Sequence, residues 1–152
     1  MSAVEWNESL TVGIPSIDAQ HRTWIERLNA VSRAVANREG PAAVGETLGF
    51  LVDYTERHFA SEEQAMAESA YPGIDIHRRR HQELRDTLND LVRDYREEGA
   101  TDPLAEALNT FLGNWLARHI RDVDRGMASH LLAKGVIPRD QAAAKSPERS
   151  PP

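Results

Sequence analysis

The sequence predicts an all-α protein: an up-down-up-down antiparallel four-helix bundle with an N-terminal arm and a short C-terminal helix. Three observations carry this. Apolar residues recur at alternating intervals of four and three, which is the seam of a helical bundle. Proline, glycine and capping residues cut that pattern into four segments joined by short connections, so that neighbours run antiparallel. The 152 residues suit one domain with a real core, over residues 1–137. Residues 138–152, rich in Ala, Lys, Ser, Pro and Arg, read as a disordered tail.

Residues 1–15 lack helical period and contain Gly13 and Pro15; they read as an arm, with Trp6 as its anchor on the bundle. The first helix is expected over residues 16–39, with Ser16 as N-cap, Asp18 complementing the dipole and Gly40 ending it. Its inner stripe is Ile17, His21, Trp24, Leu28, Val31 and Val35. The second starts at Pro41, a favourable first-turn residue, and its stripe is Val44, Leu48, Leu51, Thr55, His58, Glu62 and Met66 or a neighbour. Tyr71-Pro72-Gly73 breaks the chain. The third covers residues 74–98, with His77, His81, Leu84, Leu88, Leu91 and Tyr95 inward. The fourth follows the cap-and-proline run Thr101-Asp102-Pro103, with Leu104, Leu108, Phe111 or Leu112, Trp115 and His119 inward. A last short helix covers residues 127–133.

The formal net charge is -6, with the acidic excess spread along the chain. A nucleic-acid surface needs clustered Lys and Arg. The one basic run, Arg78-Arg79-Arg80, reads as a solvated helix face. There are no cysteines, so disulfides, thiolate metal sites and a Cys nucleophile are excluded. A metal site here must use imidazole and carboxylate, which suit iron, zinc or manganese. Neither a signal peptide nor an apolar run near the roughly 20 residues of a membrane span is present. A cytoplasmic monomer is expected, with no membrane partner and no protein partner indicated.

Five of the six histidines, His21, His58, His77, His81 and His119, occupy positions where a bundle would place leucines, accompanied by Glu62 and Asp124. His130 does not fit the scheme and reads as a surface residue. An unpaired buried polar group costs roughly 1–3 kcal/mol, so such a set calls for something that binds it. In an up-down bundle the start of the first and third helices and the end of the second and fourth share one end. His58-x-x-x-Glu62 and His77-x-x-x-His81 each place two donors one turn apart on one face. Seven ligands exceed the four that close a zinc site, which favours two metal ions. The Glu-x-x-His pairs of carboxylate-rich di-iron bundles do not serve here.

His, then His-x-x-x-Glu, then His-x-x-x-His, then His-x-x-x-x-Asp resembles the hemerythrin family, in its bacterial form. Val12-Gly13-Ile14, the run from Ile17 to His21, the run from His58 to Glu63 with Met66, Tyr71-Pro72, and Trp115-Leu116 with His119-Ile120 agree with it. The resemblance spans about residues 4–132. It implies two iron ions (Fe2+/Fe3+) with a bridging oxo or hydroxo oxygen. His77, His81 and His119 would hold one iron, His21 and His58 the other, with Glu62 and Asp124 bridging. Dioxygen would bind at the two-histidine iron. Trp24, Phe59, Trp115, Leu116 and Ile120 neighbour ligand positions and are expected to form a dry pocket there. Helix phase disagrees at one point: Asp124 lies five residues after His119, about 140° around an ideal helix, whereas Asp122 faces more nearly the same way. The family spacing selects Asp124 and so requires a bulge or local unwinding between the two.

The resulting expectation is reversible dioxygen binding, for storage, delivery or sensing, and not an enzyme. Alternatives are a di-iron enzyme acting on peroxide, nitric oxide or ferrous iron, and an oxygen- or redox-sensing module acting through a separate partner. No residue reads as a placed general acid or base in the pocket, which weakens the enzymatic alternative.

Overall fold

Four bundle helices, and no strand, make up the described residues, 4–138, of the structure, a computed structural model. Helix α1 spans Pro15–Ala36. Its first turn is set by Pro15, whose missing N–H is one of the donors a helix start leaves unpaired anyway. Ile14 is the N-cap, so Ser16 lies inside the helix and caps nothing. Asp18 does stand in the first turn, but its Oδ1 also accepts the Val12 N–H at 2.9 Å and ties the arm to the bundle. The arm itself makes a short 3-10 turn, Glu8–Leu10, and reverses at Gly13, whose φ of 97° suits glycine. Trp6 anchors it: the Arg22 guanidinium lies 4.1 Å over its ring.

Helix α1 stops at Ala36, short of the expected 39. Arg38, with φ 54°, takes the left-handed position instead of Gly40. Bonds from Arg38 N–H to the Val35 carbonyl and from Glu39 N–H to the Ala34 carbonyl close the end early. Gly40 is extended and caps α2, Pro41–Glu68. Helix α3 is Ile74–Glu98, as expected.

The fourth bundle helix is composite. Helix α4, Asp102–Glu106, is capped by the Thr101 hydroxyl, which accepts the Leu104 N–H. A π-helical turn, Ala107–Leu112, leads into α5, Gly113–His119. A second, Ile120–Asp124, leads into α6, Arg125–Lys134. The expected separate C-terminal helix is therefore the last part of this one. The first π-turn decides the alternative between neighbours: Leu112 is buried at 2% exposure and Phe111 is 51% exposed.

Helix α1 packs on α2, α2 on α3, α3 on α4, and α4 with its π-turn on α1, closing the ring. Leu28, Val31, Val44, Leu48, Leu51, Leu84, Leu88, Leu104 and Leu108 fill one half of the bundle. The histidines occupy the other half. His130 is half-buried and not a surface residue, its Nε2 lying 2.9 Å from the Ser69 carbonyl and its ring 5.1 Å from that of Tyr71. Arg78, Arg79 and Arg80 are exposed, as their position between His77 and His81 requires. Pro138 is buried; residues 139–152, expected to be a disordered tail, lie outside the described residues. No described helix is long and apolar enough to cross a membrane.

Candidate metal centre

Helix starts and ends bring all seven predicted donors to one level of the bundle. His21 comes from α1, His58 and Glu62 from α2, His77 and His81 from α3, His119 from α5 and Asp124 from the second π-turn. Every one is buried, none more than 3% exposed. They form two groups whose donor atoms lie within 4.8 Å of one another. One contains His77, His81, His119, Glu62 and Asp124, the other His21, His58, Glu62 and Asp124. The two carboxylates are common to both.

The carboxylates reach across the bundle with separate oxygens. Glu62 Oε2 lies 3.0 Å from His58 Nε2, and Oε1 lies 3.2 Å from His81 Nε2. Asp124 Oδ2 lies 3.0 Å from His21 Nε2, and Oδ1 lies 3.0 Å from His77 Nε2 and 3.1 Å from His119 Nε2. These atoms converge without hydrogen-bond geometry: all five Nε2 atoms and all four carboxylate oxygens are buried and lack a hydrogen-bond partner. Nine such atoms turned on two centres carry an unpaired-polar cost that a bound cation would relieve. The donor set, imidazole and carboxylate only, fits a first-row transition metal.

The outer edges of two rings fix their tautomers. Glu63 Oε2 is 2.7 Å from His81 Nδ1, and Gln20 Oε1 is 2.7 Å from His58 Nδ1. Both oxygens can only accept, so Nδ1 carries the proton and Nε2 keeps its lone pair for the centre. Sequence reasoning assigned no role to Gln20 or Glu63; neither stands at a spacing that points across helices.

Without a cation the same groups share protons. Burial alone would lower the pKa of His21 and His77, but Asp124 and Glu62 outweigh it and raise them to about 9 and about 10. His81 is raised too, burial being overcome by Glu62 and Glu63. At His119 burial prevails and lowers the pKa. Burial would raise Glu62, but His58 and His21 hold it well below the carboxylate range. For Asp124, burial and Glu62 push upward, and His119 and His21 pull it well below that range.

Aromatic rings enclose the centre. Trp24 packs against His21 and His58, with centroids at 6.1 and 4.8 Å, and its Nε1–H donates to Thr55 Oγ1 at 2.9 Å. Phe59 stacks on His81 at 3.7 Å and also lies 6.2 Å from His58 and 5.4 Å from Trp24, while Trp115 stacks on His119 at 4.5 Å. Trp115 is half-buried and, with His119, lines a surface cleft of about 670 Å³. Leu116 and Ile120 are buried at 2% and 0% exposure.

The Hemerythrin HHE cation binding domain matches residues 12–131. The chain belongs to the hemerythrin family. It is 38% identical over 134 residues to a bacteriohemerythrin of Stenotrophomonas maltophilia (strain R551-3), covering 88% of this chain and 84% of that one. It is 32% identical over 146 residues to the bacteriohemerythrin of Ralstonia nicotianae, covering 95% of this chain and 100% of that one. A crystal structure of wild-type hemerythrin superimposes with a TM-score of 0.74 at 25% identity, covering 84% of this chain and 97% of the other. The fold of this hemerythrin-family chain is thus the four-helix bundle its periodicity predicts.

Proposed function

We propose that the chain binds dioxygen reversibly at two iron ions bridged by Glu62 and Asp124. The observation that supports this most is the division of the donors into groups of five and four that share both carboxylates. His77, His81 and His119 would serve one iron, His21 and His58 the other. The two-histidine group offers one protein donor fewer, which leaves room there for an exogenous ligand. An iron pair held by these seven side chains would supply reversible redox chemistry toward dioxygen.

The protein's contribution is exclusion and placement. Two carboxylates offset half the charge of two divalent ions and so lower the cost of burying them. Gln20 and Glu63 hold His58 and His81 in the tautomer that leaves Nε2 free. Trp24, Phe59, Leu116 and Ile120, all buried, keep water from the centre.

Metal analysis and an absorption spectrum test this. Protein made in iron-rich medium should hold close to two irons per chain; a value near one, or zinc alone, would end the di-iron reading. Admitting air to the reduced protein should produce a visible absorption that disappears when oxygen is removed. Steady oxygen consumption with added reductant, and no reversible band, would make it an oxidase or peroxidase.

A further inference from the structure

We propose that Glu63, held by Arg85, is a positioning residue that orients His81 and sets how strongly the three-histidine half of the site donates to its metal. The inference rests on His81 being a metal ligand, as proposed above.

Glu63 follows Glu62 in sequence but points to the outer edge of the site. Its Oε2 accepts the His81 Nδ1–H at 2.7 Å. The same oxygen also accepts from Arg85 Nη2, at 3.4 Å. Arg85 in turn donates from Nε to both oxygens of Glu56, each at 3.0 Å. The chain therefore runs from a fully buried imidazole, through a carboxylate and a guanidinium each about a fifth exposed, 20% and 21%, to a glutamate that is 59% exposed. Arg85 also covers the back of Phe59, with its carbon 5.2 Å from the ring, and Phe59 stacks on His81. The imidazole is thus held by its edge and by its face.

The chemistry of this contact differs from its counterpart. A carboxylate that accepts the outer N–H makes an imidazole more basic and a stronger donor through Nε2. His58, in the two-histidine group, meets the neutral amide oxygen of Gln20 instead. The two halves of the centre therefore differ in outer charge as well as in number of donors. A negative charge beside His81 favours the higher oxidation state of the metal it holds. Arg85 draws on the same oxygen and so moderates that charge. Removing one or the other should move the centre in opposite directions, which ordinary packing would not.

The experiment compares the wild-type chain with Glu63→Gln and Arg85→Gln. Glutamine can still accept the His81 N–H, so Glu63→Gln removes charge with little change of shape. Two quantities are read: cobalt(II) affinity of the metal-free chain by chelator competition, and midpoint potential of the iron-loaded protein. Glu63→Gln should weaken cobalt binding about 10–100-fold and raise the midpoint, a tenfold change being 59 mV for one electron. Arg85→Gln should lower the midpoint and leave cobalt affinity the same or higher. Shifts of the same sign in both variants, or no shift in either, would overturn the proposal. Should Glu63→Gln fail to fold, the Arg85→Gln midpoint decides alone: it must fall. If no variant holds iron yet Glu63→Gln alone loses cobalt affinity, the di-iron reading fails and the role of Glu63 stands.

Discussion

Asp124 Oδ1 lies 3.1 Å from His119 Nε2, although five residues separate the two along one helix. An ideal α-helix would turn them about 140° apart. The π-turn Ile120–Asp124 closes that angle: its wider i→i+5 turn brings residues five apart onto one face. Asp122, which α-helical phase would favour, is exposed. The same turn lets Asp124 Oδ2 reach His21 on α1, so one local unwinding joins both donor groups.

Asp124→Ala should therefore lose metal, and Asp122→Ala should not. Metal content after overnight dialysis against a weak chelator makes the comparison. Retention by Asp124→Ala with loss in Asp122→Ala would mean that helix phase had been the better guide.

Much of this was legible in the sequence because seam spacing carries it. The stripes of α1, α2 and α3 are periodic, and five histidines at seam positions near matching helix ends meet whatever the finer geometry. The helix ends were less legible. Pro15 outranks Ser16 because proline sets the first turn directly, and Arg38 takes a left-handed position that favours glycine because neighbouring carbonyls hold it. Phe111 and Leu112 could not be separated by period, since a π-turn shifts the phase within that stretch. His130 looked like a surface residue because the continuation of the fourth helix beside Ser69 and Tyr71 is a tertiary fact. The contacts of Gln20, Glu63 and Arg85 join residues 38, 18 and 22 positions apart, and no local pattern announces them.

A buried hydrogen bond ties the end of the arm to α1. Asp18 Oδ1 accepts the Val12 N–H, and Arg125 Nη2 donates to the Thr11 carbonyl at 3.2 Å. Asp18→Ala leaves the Val12 N–H without its acceptor, a loss of about 1–3 kcal/mol. Urea unfolding should show a lower midpoint with a similar slope. An unchanged midpoint would mean that the arm is held by its other contacts, the packing of Leu10, Val12 and Ile14 and the Asn29–Val4 and Arg125–Thr11 hydrogen bonds among them.

Leu116 is 2% exposed and precedes His119 by three residues. Leu116→Ala should cost about 2–5 kcal/mol of stability, as core truncations do. It should also quicken conversion of the reduced iron-loaded protein to its oxidised form in air, because water gains a path inward. If the stability falls and the oxidation rate does not change, Leu116 is core and no part of the pocket.

Protonation and metal compete for the same atoms, which gives the metal-free and metal-loaded chains opposite responses to pH. In the metal-free chain His21 and His77 have pKa values of about 9 and about 10, above the roughly 6.5 of an unfolded histidine. Their stabilisation is complete below pH ~6.5 and is lost as pH rises through 9 to 10. His81, also raised, acts in the same direction. Glu62 and Asp124 are held well below their ordinary values, so their contribution is present above pH ~4.5 and is lost in acid. His119, lowered, favours folding as pH rises toward 6.5 and adds no slope above it. The metal-free chain should thus be most stable near pH 5–6.5 and should lose stability from there to pH 9, by roughly 1.4 kcal/mol per pH unit for each of the two histidines. Metal binding needs neutral imidazoles and releases their protons, so it strengthens over that same interval. Thermal unfolding at pH 6, 7, 8 and 9, with and without metal, should show Tm falling for the metal-free chain and the gap between the two widening. A metal-free Tm that stays level or rises over that range would mean that Glu62 and Asp124 do not hold protons on His21 and His77.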